Sequence, residues 1–330
     1  MKALLIGNRE RFIKFDPHTP FSDTVTKMFL SMEDLRAPLP EDILDADFVA
    51  ADAIAPVTGD MIARMPNLKL IHSEGVGFDK IDCKAANGRG IPVCNNKGVN
   101  ADAVAEQTIL LMLGLLRKVI VSDAAVRSGK QIEQKEKLMV EGIRELSECR
   151  VGLIGFGDIA KAVALRLTAF CCEVFYSSRR PKSREEEERY GVRFLPREEL
   201  VRTCDIVSLH VPVTTETAGM VDAAFLNAMK PDALLINTAR GDLIDNDALC
   251  SALCDGTLGG AGLDTIAPEP VSPDHPLLHL PKEAEDRLVF SPHIGGVTSA
   301  VFKRAHKNIW KAFEDAANGD IPQNIVTCDR

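Results

Sequence analysis

The sequence has no excess of basic charge: 39 Lys and Arg stand against 48 Asp and Glu, a net charge of −9. Neutralising nucleic-acid phosphates needs a basic face, so a nucleic-acid partner is not expected. A negative chain that binds an anionic cofactor must then hold its positive charge locally. There is also no apolar run long enough to cross a membrane. The longest, around residues 109–116, falls well short of about 20 residues and sits inside a helical pattern. The start has one Lys and five apolar residues before Asn8, and reads as a first strand rather than a signal peptide. Nine cysteines form no spacing framework, which points to reduced thiols in the cytoplasm. Cys250 and Cys254 lie one helical turn apart with no His or Cys pair to complete a site, so they read as packing residues and no metal is expected. No internal repeat and no low-complexity linker is present.

What is there is alternation. At 330 residues the chain is longer than one core usually serves, so two domains are expected. Short apolar runs at residues 3–6, 68–72, 92–94, 151–154, 173–176, 206–209, 233–236 and 289–291 read as strands. Helical patterns lie between most of them, for example at 101–116, 158–170, 245–253 and 299–318. Strand–helix alternation means βαβ units and mostly parallel sheets, an α/β protein. Runs such as Val151-Gly152-Leu153-Ile154 suit strands buried on both faces. Residues 128–150, rich in Lys, Glu and Gln, read as a surface excursion.

The run Val151–Ile154 leads straight into Gly155-Phe156-Gly157-Asp158-Ile159-Ala160, and a helix pattern follows. This is the strand–turn–helix setting of a dinucleotide phosphate loop. Gly155 permits the tight turn, Gly157 lets backbone approach a pyrophosphate, and Ala160 allows close helix–strand packing. The helix start supplies free N–H groups and a positive dipole end. An NAD-type site would place an acid at the end of the next strand. Here that strand ends in Ser177-Ser178-Arg179-Arg180. Hydroxyls with guanidinium groups suit a 2′-phosphate, so NADP(H) is the expected cofactor, with NAD(H) possible. The alternative is a solvated charged turn, since Arg184 and four glutamates follow at once.

Three later segments follow strands: Asn237-Thr238-Ala239-Arg240-Gly241, then Gly262-Leu263-Asp264 with Glu269, then Ser291-Pro292-His293-Ile294-Gly295. In doubly wound sheets the carboxyl ends of the strands line the ligand crevice, so these residues could converge there. Reducing a 2-keto acid takes a hydride to carbon and a proton to oxygen. His293 can give and recover that proton, with Glu269 orienting the imidazole. Arg240 can clamp a carboxylate and polarise the keto oxygen. Taken singly each residue has a bland structural reading; their joint occurrence after a phosphate loop is what carries weight.

Through these motifs the chain resembles the D-isomer-specific 2-hydroxyacid dehydrogenases over nearly its whole length. Gly75-Val76-Gly77-Phe78-Asp79, Val104-Ala105-Glu106 and His210-Val211-Pro212 leading to Thr217 add to the likeness. The resemblance implies two doubly wound parallel-sheet domains. A Rossmann-type cofactor domain (residues 99–296) would be inserted into a flavodoxin-like substrate domain (1–98 plus 297–330), with the active site in the cleft between them. It implies Arg240, Glu269 and His293 as the catalytic residues. It further implies Val76 and Gly77 as the loop whose backbone holds the substrate carboxylate, and Asp264 as a contact of the nicotinamide carboxamide. Val211, Pro212, Thr217, Thr238, Ala239 and Gly295 join the cofactor contacts, and a homodimer formed through the cofactor domains is expected.

The family often carries a Trp in the stretch before the phosphate loop, and residues 128–150 have none. The Ser178-Arg179-Arg180 segment resembles the glyoxylate/hydroxypyruvate reductases of the family. Formate dehydrogenases of the superfamily place Gln at the position of Glu269, which argues against that activity. The competing readings are a phosphoglycerate or phosphite dehydrogenase on the same frame, or a cofactor-sensing corepressor of the C-terminal-binding-protein type.

Overall fold

A computed structural model describes residues 1–327. Residues 328–330, the tail of the expected 297–330 segment, lie outside the described residues. The chain divides into two compact units, Met1–Asn100 with Val297–Arg330, and Ala101–Gly296.

The first unit is built on five strands: β1 (Lys2–Ile6), β2 (Thr26–Leu30), β3 (Phe48–Ala51), β4 (Leu70–Ser73) and β5 (Val93–Cys94). They pair in the order β2-β1-β3-β4-β5, all parallel. The period-two alternation of a strand shows directly in the packing. Leu4, Ile6, Val49, Ala51 and Ile71 face one apolar layer. Ala3, Leu5, Phe48, Ala50 and Leu70 face the other, against Ile309, Trp310 and Phe313 of the last helix, Ser299–Asn318. The order reverses at β1, so the carboxyl ends of β1 and β3 flank this sheet's switch point, where a doubly wound sheet binds its ligand.

The second unit holds seven strands: β6 (Arg150–Ile154), β7 (Glu173–Ser177), β8 (Val192–Phe194), β9 (Ile206–Leu209), β10 (Leu234–Asn237), β11 (Gly260–Leu263) and β12 (Leu288–Phe290). Their order is β12-β11-β10-β9-β6-β7-β8, again all parallel. Apolar clusters cover both faces of this sheet. Ala160, Val163, Ala164 and Leu167 line the buried side of the Asp158–Ala169 helix, as the 3.6-residue period requires.

Four strands are absent from the runs read as strands. β2 carries a Lys and is the sheet edge, β3 is only four residues long, β8 is a three-residue edge strand, and two of the four residues of β11 are glycine. Such short runs carry little periodicity. The segment at residues 128–150 is an exposed excursion that is helical over much of its length. It contains the helix Gln131–Glu141, which follows the helix Val119–Arg127. No helix among the described residues is long and apolar enough to cross a membrane.

Candidate active site

In the second unit the phosphate loop turns at Gly155, whose φ is +94°. A Cβ there would lie 2.3 Å from the His210 carbonyl oxygen, so both the backbone angle and the space demand glycine. Gly157 is different. A Cβ at that position would meet nothing of the protein within 4 Å, so the protein's own packing does not require glycine. It is the N-cap of the Asp158–Ala169 helix, and no side chain caps that end. A bare helix N-terminus beside a residue trimmed to hydrogen suits close approach by a pyrophosphate, so the residues fit a dinucleotide. Phe156 is buried, its ring 4.4 Å from that of Tyr176 on β7, while Asp158 is exposed and Ile159 half-buried.

β7 ends at Ser177, which is buried. The next turn closes on itself: the Ser178 hydroxyl donates to the Arg180 carbonyl at 2.7 Å. The Lys182 amide donates to the Tyr176 hydroxyl at 2.7 Å, and that hydroxyl donates to Glu187 at 2.8 Å. The acidic run after the turn is engaged elsewhere, Glu186 with Lys161 and Glu188 with Arg184. Arg179 and Arg180 are exposed and make no ion pair among the described residues. Across the loop, Val211 is half-buried and Pro212 exposed. The Thr217 hydroxyl donates to the Pro212 carbonyl at 2.7 Å and accepts from the Thr214 amide at 2.8 Å, so it is spent on its own turn.

The carboxyl ends of β10, β11 and β12, which are neighbours in the sheet, carry the remaining residues. After β10, the Asn237 amide donates to the Arg240 carbonyl at 2.8 Å and accepts from the Ala239 amide at 3.0 Å. This fixes the turn that presents Arg240, which is half-buried. After β12, His293 has a φ of +54°, a left-handed conformation rare for a residue with a Cβ. Its Nδ1 donates to Glu269, with Oε1 at 2.8 Å and Oε2 at 2.9 Å. The Glu269 carboxylate thereby selects the tautomer and orientation of the ring, leaving Nε2 as the atom able to exchange a proton with a ligand.

Asp264, after β11, is buried and accepts three hydrogen bonds on its carboxylate. They come from the Ser291 hydroxyl at 2.5 Å, the Ile294 amide at 3.0 Å and the Gly295 amide at 2.9 Å. Its carbonyl accepts the His293 amide at 2.8 Å. The His293 loop is thus wrapped around one carboxylate. Gly295 and Asp264, grouped by the sequence reading as cofactor contacts, are first of all each other's partners.

In the first unit the segment after β4 has every carbonyl tied inward. Glu74 and Gly75 bond Asn96, Val76 accepts from the Asn95 amide at 2.7 Å, and Gly77 accepts from the Ser73 hydroxyl at 2.5 Å. The N–H groups of Gly75, Val76 and Gly77 donate to no acceptor among the described residues. Successive unengaged backbone donors make a site for an anion. The charges nearby neutralise one another. Arg11 bonds Glu74 at 2.9 Å and Asp52 at 2.7 Å, and His306 bonds Glu74 at 2.8 Å.

The sequence reading named Arg240, Glu269 and His293, and Glu269 and His293 are in direct contact. It missed Ser291 as an Asp264 partner, and it missed Asn95 and Asn96. No local pattern marks them; their roles follow from what lies across the fold.

A family model described as "D-isomer specific 2-hydroxyacid dehydrogenase, NAD binding domain" matches residues 109–295. The glyoxylate reductase of Thermococcus litoralis is 36% identical over 297 residues, 89% of this chain and 87% of that protein. Among solved structures, a D-lactate dehydrogenase from Aquifex aeolicus, complexed with NAD and lactic acid, is similar with a TM-score of 0.84. It is 27% identical, with 98% of each chain covered. An NADPH-dependent glyoxylate/hydroxypyruvate reductase from Sinorhizobium meliloti, in complex with NADP and malonate, is similar with a TM-score of 0.81. It is 26% identical over 99% of this chain and 96% of that one.

Proposed function

The chain belongs to the D-isomer-specific 2-hydroxyacid dehydrogenase family, and on that premise we propose that it reduces glyoxylate or hydroxypyruvate with NADPH, using His293, Glu269 and Arg240 as its catalytic residues. As a family member it is an NAD(P)-dependent oxidoreductase acting on a D-2-hydroxy acid and its 2-keto acid. The observation that carries the residue assignment is the His293–Glu269 contact, which engages Nδ1 and leaves Nε2 for chemistry.

A nicotinamide, when bound, supplies the hydride. The protein's part begins with the carboxylate of the keto acid, for which the N–H groups of Val76 and Gly77 are the proposed donors. Arg240 adds a planar, permanently charged fork that clamps the carboxylate and polarises the keto oxygen. His293 Nε2 delivers the proton to that oxygen, and Glu269 stabilises the imidazolium form that does so. In the reverse direction Nε2 takes the proton from the hydroxyl. Gly155, Phe156, Gly157, Asp158 and Ile159 hold the pyrophosphate. Val211, Pro212, Thr217, Thr238, Ala239, Asp264 and Gly295 complete the cofactor wall.

The preference for NADPH rests on the Ser177-Ser178-Arg179-Arg180 turn. An acid at that point would repel a 2′-phosphate; two arginines that make no ion pair among the described residues attract it. Two further parts of the reading concern the whole molecule. A homodimer is supported by the exposed apolar side chains on the Val119–Arg127 and Gln131–Glu141 helices, among them Ile120, Val126, Ile132, Met139 and Val140. The cytoplasm is supported by the cysteine usage.

The test is steady-state reduction of glyoxylate, hydroxypyruvate and several other 2-keto acids with NADPH and with NADH. The expected result is the highest kcat/KM for one of the two named acids, with an NADPH-to-NADH ratio above one. A ratio below one removes the cofactor assignment. A clear preference for another acid, 3-phosphohydroxypyruvate included, removes the substrate assignment.

A further inference from the structure

We propose that Gln107 and Thr108, adjacent on the helix Ala101–Leu116, are positioning residues that brace the His293 and Arg240 loops; the proposal rests on the reading of His293 and Arg240 as catalytic. Gln107 Nε2 donates to the Ser291 hydroxyl at 2.9 Å. Thr108 Oγ1 lies 2.9 Å from Thr238 Oγ1, two residues before Arg240. One helix therefore grips the loop after β12 with one residue and the loop after β10 with the next.

Counting protons fixes the direction of each contact. Asp264 as a carboxylate can only accept, so the single Ser291 proton goes to Asp264 Oδ1. Ser291 must then accept from position 107, and the carboxamide NH2 of Gln107 supplies that proton. A carboxylate at 107 could not: it would compete with Asp264 for the one hydroxyl proton. Likewise Thr108 donates to the Val104 carbonyl at 2.8 Å, so the proton between the threonines belongs to Thr238. Both threonines are buried, and a buried hydroxyl without a partner is costly.

The reach of this brace is set by Asp264. Its carboxylate also accepts the amides of Ile294 and Gly295, the two residues after His293. The Ser291 bond thus closes a ring of donors around one carboxylate, and His293 sits in that ring with its backbone in the left-handed region. Such a backbone persists only where the surroundings over-determine it. Removing the Gln107 amide frees the Ser291 hydroxyl to rotate and loosens the ring at its first residue. The imidazole then loses its fixed alignment with Glu269, and a small misplacement of a proton donor is enough to slow transfer. The phosphate loop at 155–160 is untouched by these contacts, so the pyrophosphate grip stays, whereas Thr238, Asp264 and Gly295 move with the brace.

The experiment compares Gln107→Met, Gln107→Glu, Ser291→Ala, Thr108→Val and Thr108→Ser. It measures kcat and KM for hydroxypyruvate, the NADPH dissociation constant, and amide hydrogen exchange. The expected kcat loss is about tenfold or more in Gln107→Met and Ser291→Ala, larger than any loss of NADPH affinity. Exchange at residues 291–296 rises by a similar factor while residues 155–160 stay unchanged. Gln107→Glu is no better than Gln107→Met, although it keeps the shape and polarity. Thr108→Val loses less, about three- to tenfold, and Thr108→Ser restores it. Wild-type kcat and exchange in folded Gln107→Met or Ser291→Ala overturn the brace, as does full activity in Gln107→Glu. Ser291→Ala judges the same contact should the helix variant fail to fold. If the wild type turns over no 2-keto acid, the functional reading falls, and the exchange data still decide the brace.

Discussion

At the carboxyl ends of β10, β11 and β12 the second unit carries polar side chains able to do chemistry: Arg240, Asp264 and His293, with Glu269 against the imidazole. At the carboxyl end of β4 the first unit presents peptide N–H groups instead, and the charges nearby are engaged with one another. Arg11 is shared between Asp52 and Glu74, and His306 is bound to Glu74. Both sheets are parallel and doubly wound, so the difference is not one of architecture. A proton donor has to be a titratable side chain. A carboxylate anchor can be backbone, which carries no net charge and needs no rotamer to be ordered. On the proposed reading, substitutions should act on the chemical step around His293 and on substrate affinity around Val76 and Gly77.

The largest expected effect is in the second unit. His293→Ala removes the proton donor, and kcat should fall by about a thousandfold while NADPH still binds, because general acid–base catalysis contributes on that order. Near-normal turnover in a folded variant would take His293 out of the mechanism. Arg240→Ala should cost about a hundredfold in kcat/KM, and Arg240→Lys nearly as much, since Lys keeps the charge without the fork. Full rescue by Lys would mean that charge alone suffices there.

The first unit is tested through its stability toward acid. His72, on β4, is buried, and burial pushes its ring down from 6.5 to about 4. The unfolded chain takes up this proton near pH 6.5, whereas the folded chain resists it until about pH 4. Stability is therefore intact above pH 6.5 and falls as pH drops through that window. The loss attributable to this ring is roughly 3 kcal/mol. Urea titrations at pH 7 and pH 4.5 should show a smaller difference in a folded His72→Gln variant. An equal difference would mean that His72 is not the group responsible.

A smaller effect belongs to the cofactor turn. Arg179→Ala should lower the NADPH-to-NADH ratio of kcat/KM by about tenfold, the lower end for a charged hydrogen bond because the site is exposed. If the ratio holds, the phosphate is gripped elsewhere, with Arg180 or Lys182 the next to substitute.

Much of this was legible from the residues. The strand–turn–helix setting of the proposed phosphate loop could be read because Gly155 and Gly157 stand between an apolar run and a helical pattern. His293, Glu269 and Arg240 could be proposed because their residue types are chemically specific, and the structure brings Glu269 and His293 into contact. The α/β class followed from strand–helix alternation. Val76 and Gly77 were suggested only by family resemblance, since a donor that is a backbone N–H leaves no trace in residue type. Gln107 and Thr108 left none either: their partners lie 184 and 130 residues away, and on a helix they look like ordinary polar positions. β3 was missed although β9 and β10 are no longer, because its Ala50 and Ala51 carry little strand preference, and tertiary burial between β1 and β4 is what makes Phe48–Ala51 a strand. The exposed apolar side chains of the Gln131–Glu141 helix were hidden by the Lys, Glu and Gln around them.

The division of labour between the units is tested most directly by kcat and KM for hydroxypyruvate at saturating NADPH in Asn95→Ala, set beside His293→Ala. Asn95 touches no proposed catalytic residue; its amide holds the Val76 carbonyl at 2.7 Å and so aims the neighbouring N–H groups outward. The account predicts a KM raised about five- to tenfold in Asn95→Ala with kcat within about twofold, the mark of lost uniform binding, against a collapse of kcat in His293→Ala. A kcat loss in Asn95→Ala comparable to that in His293→Ala, or a KM that does not move, would contradict it.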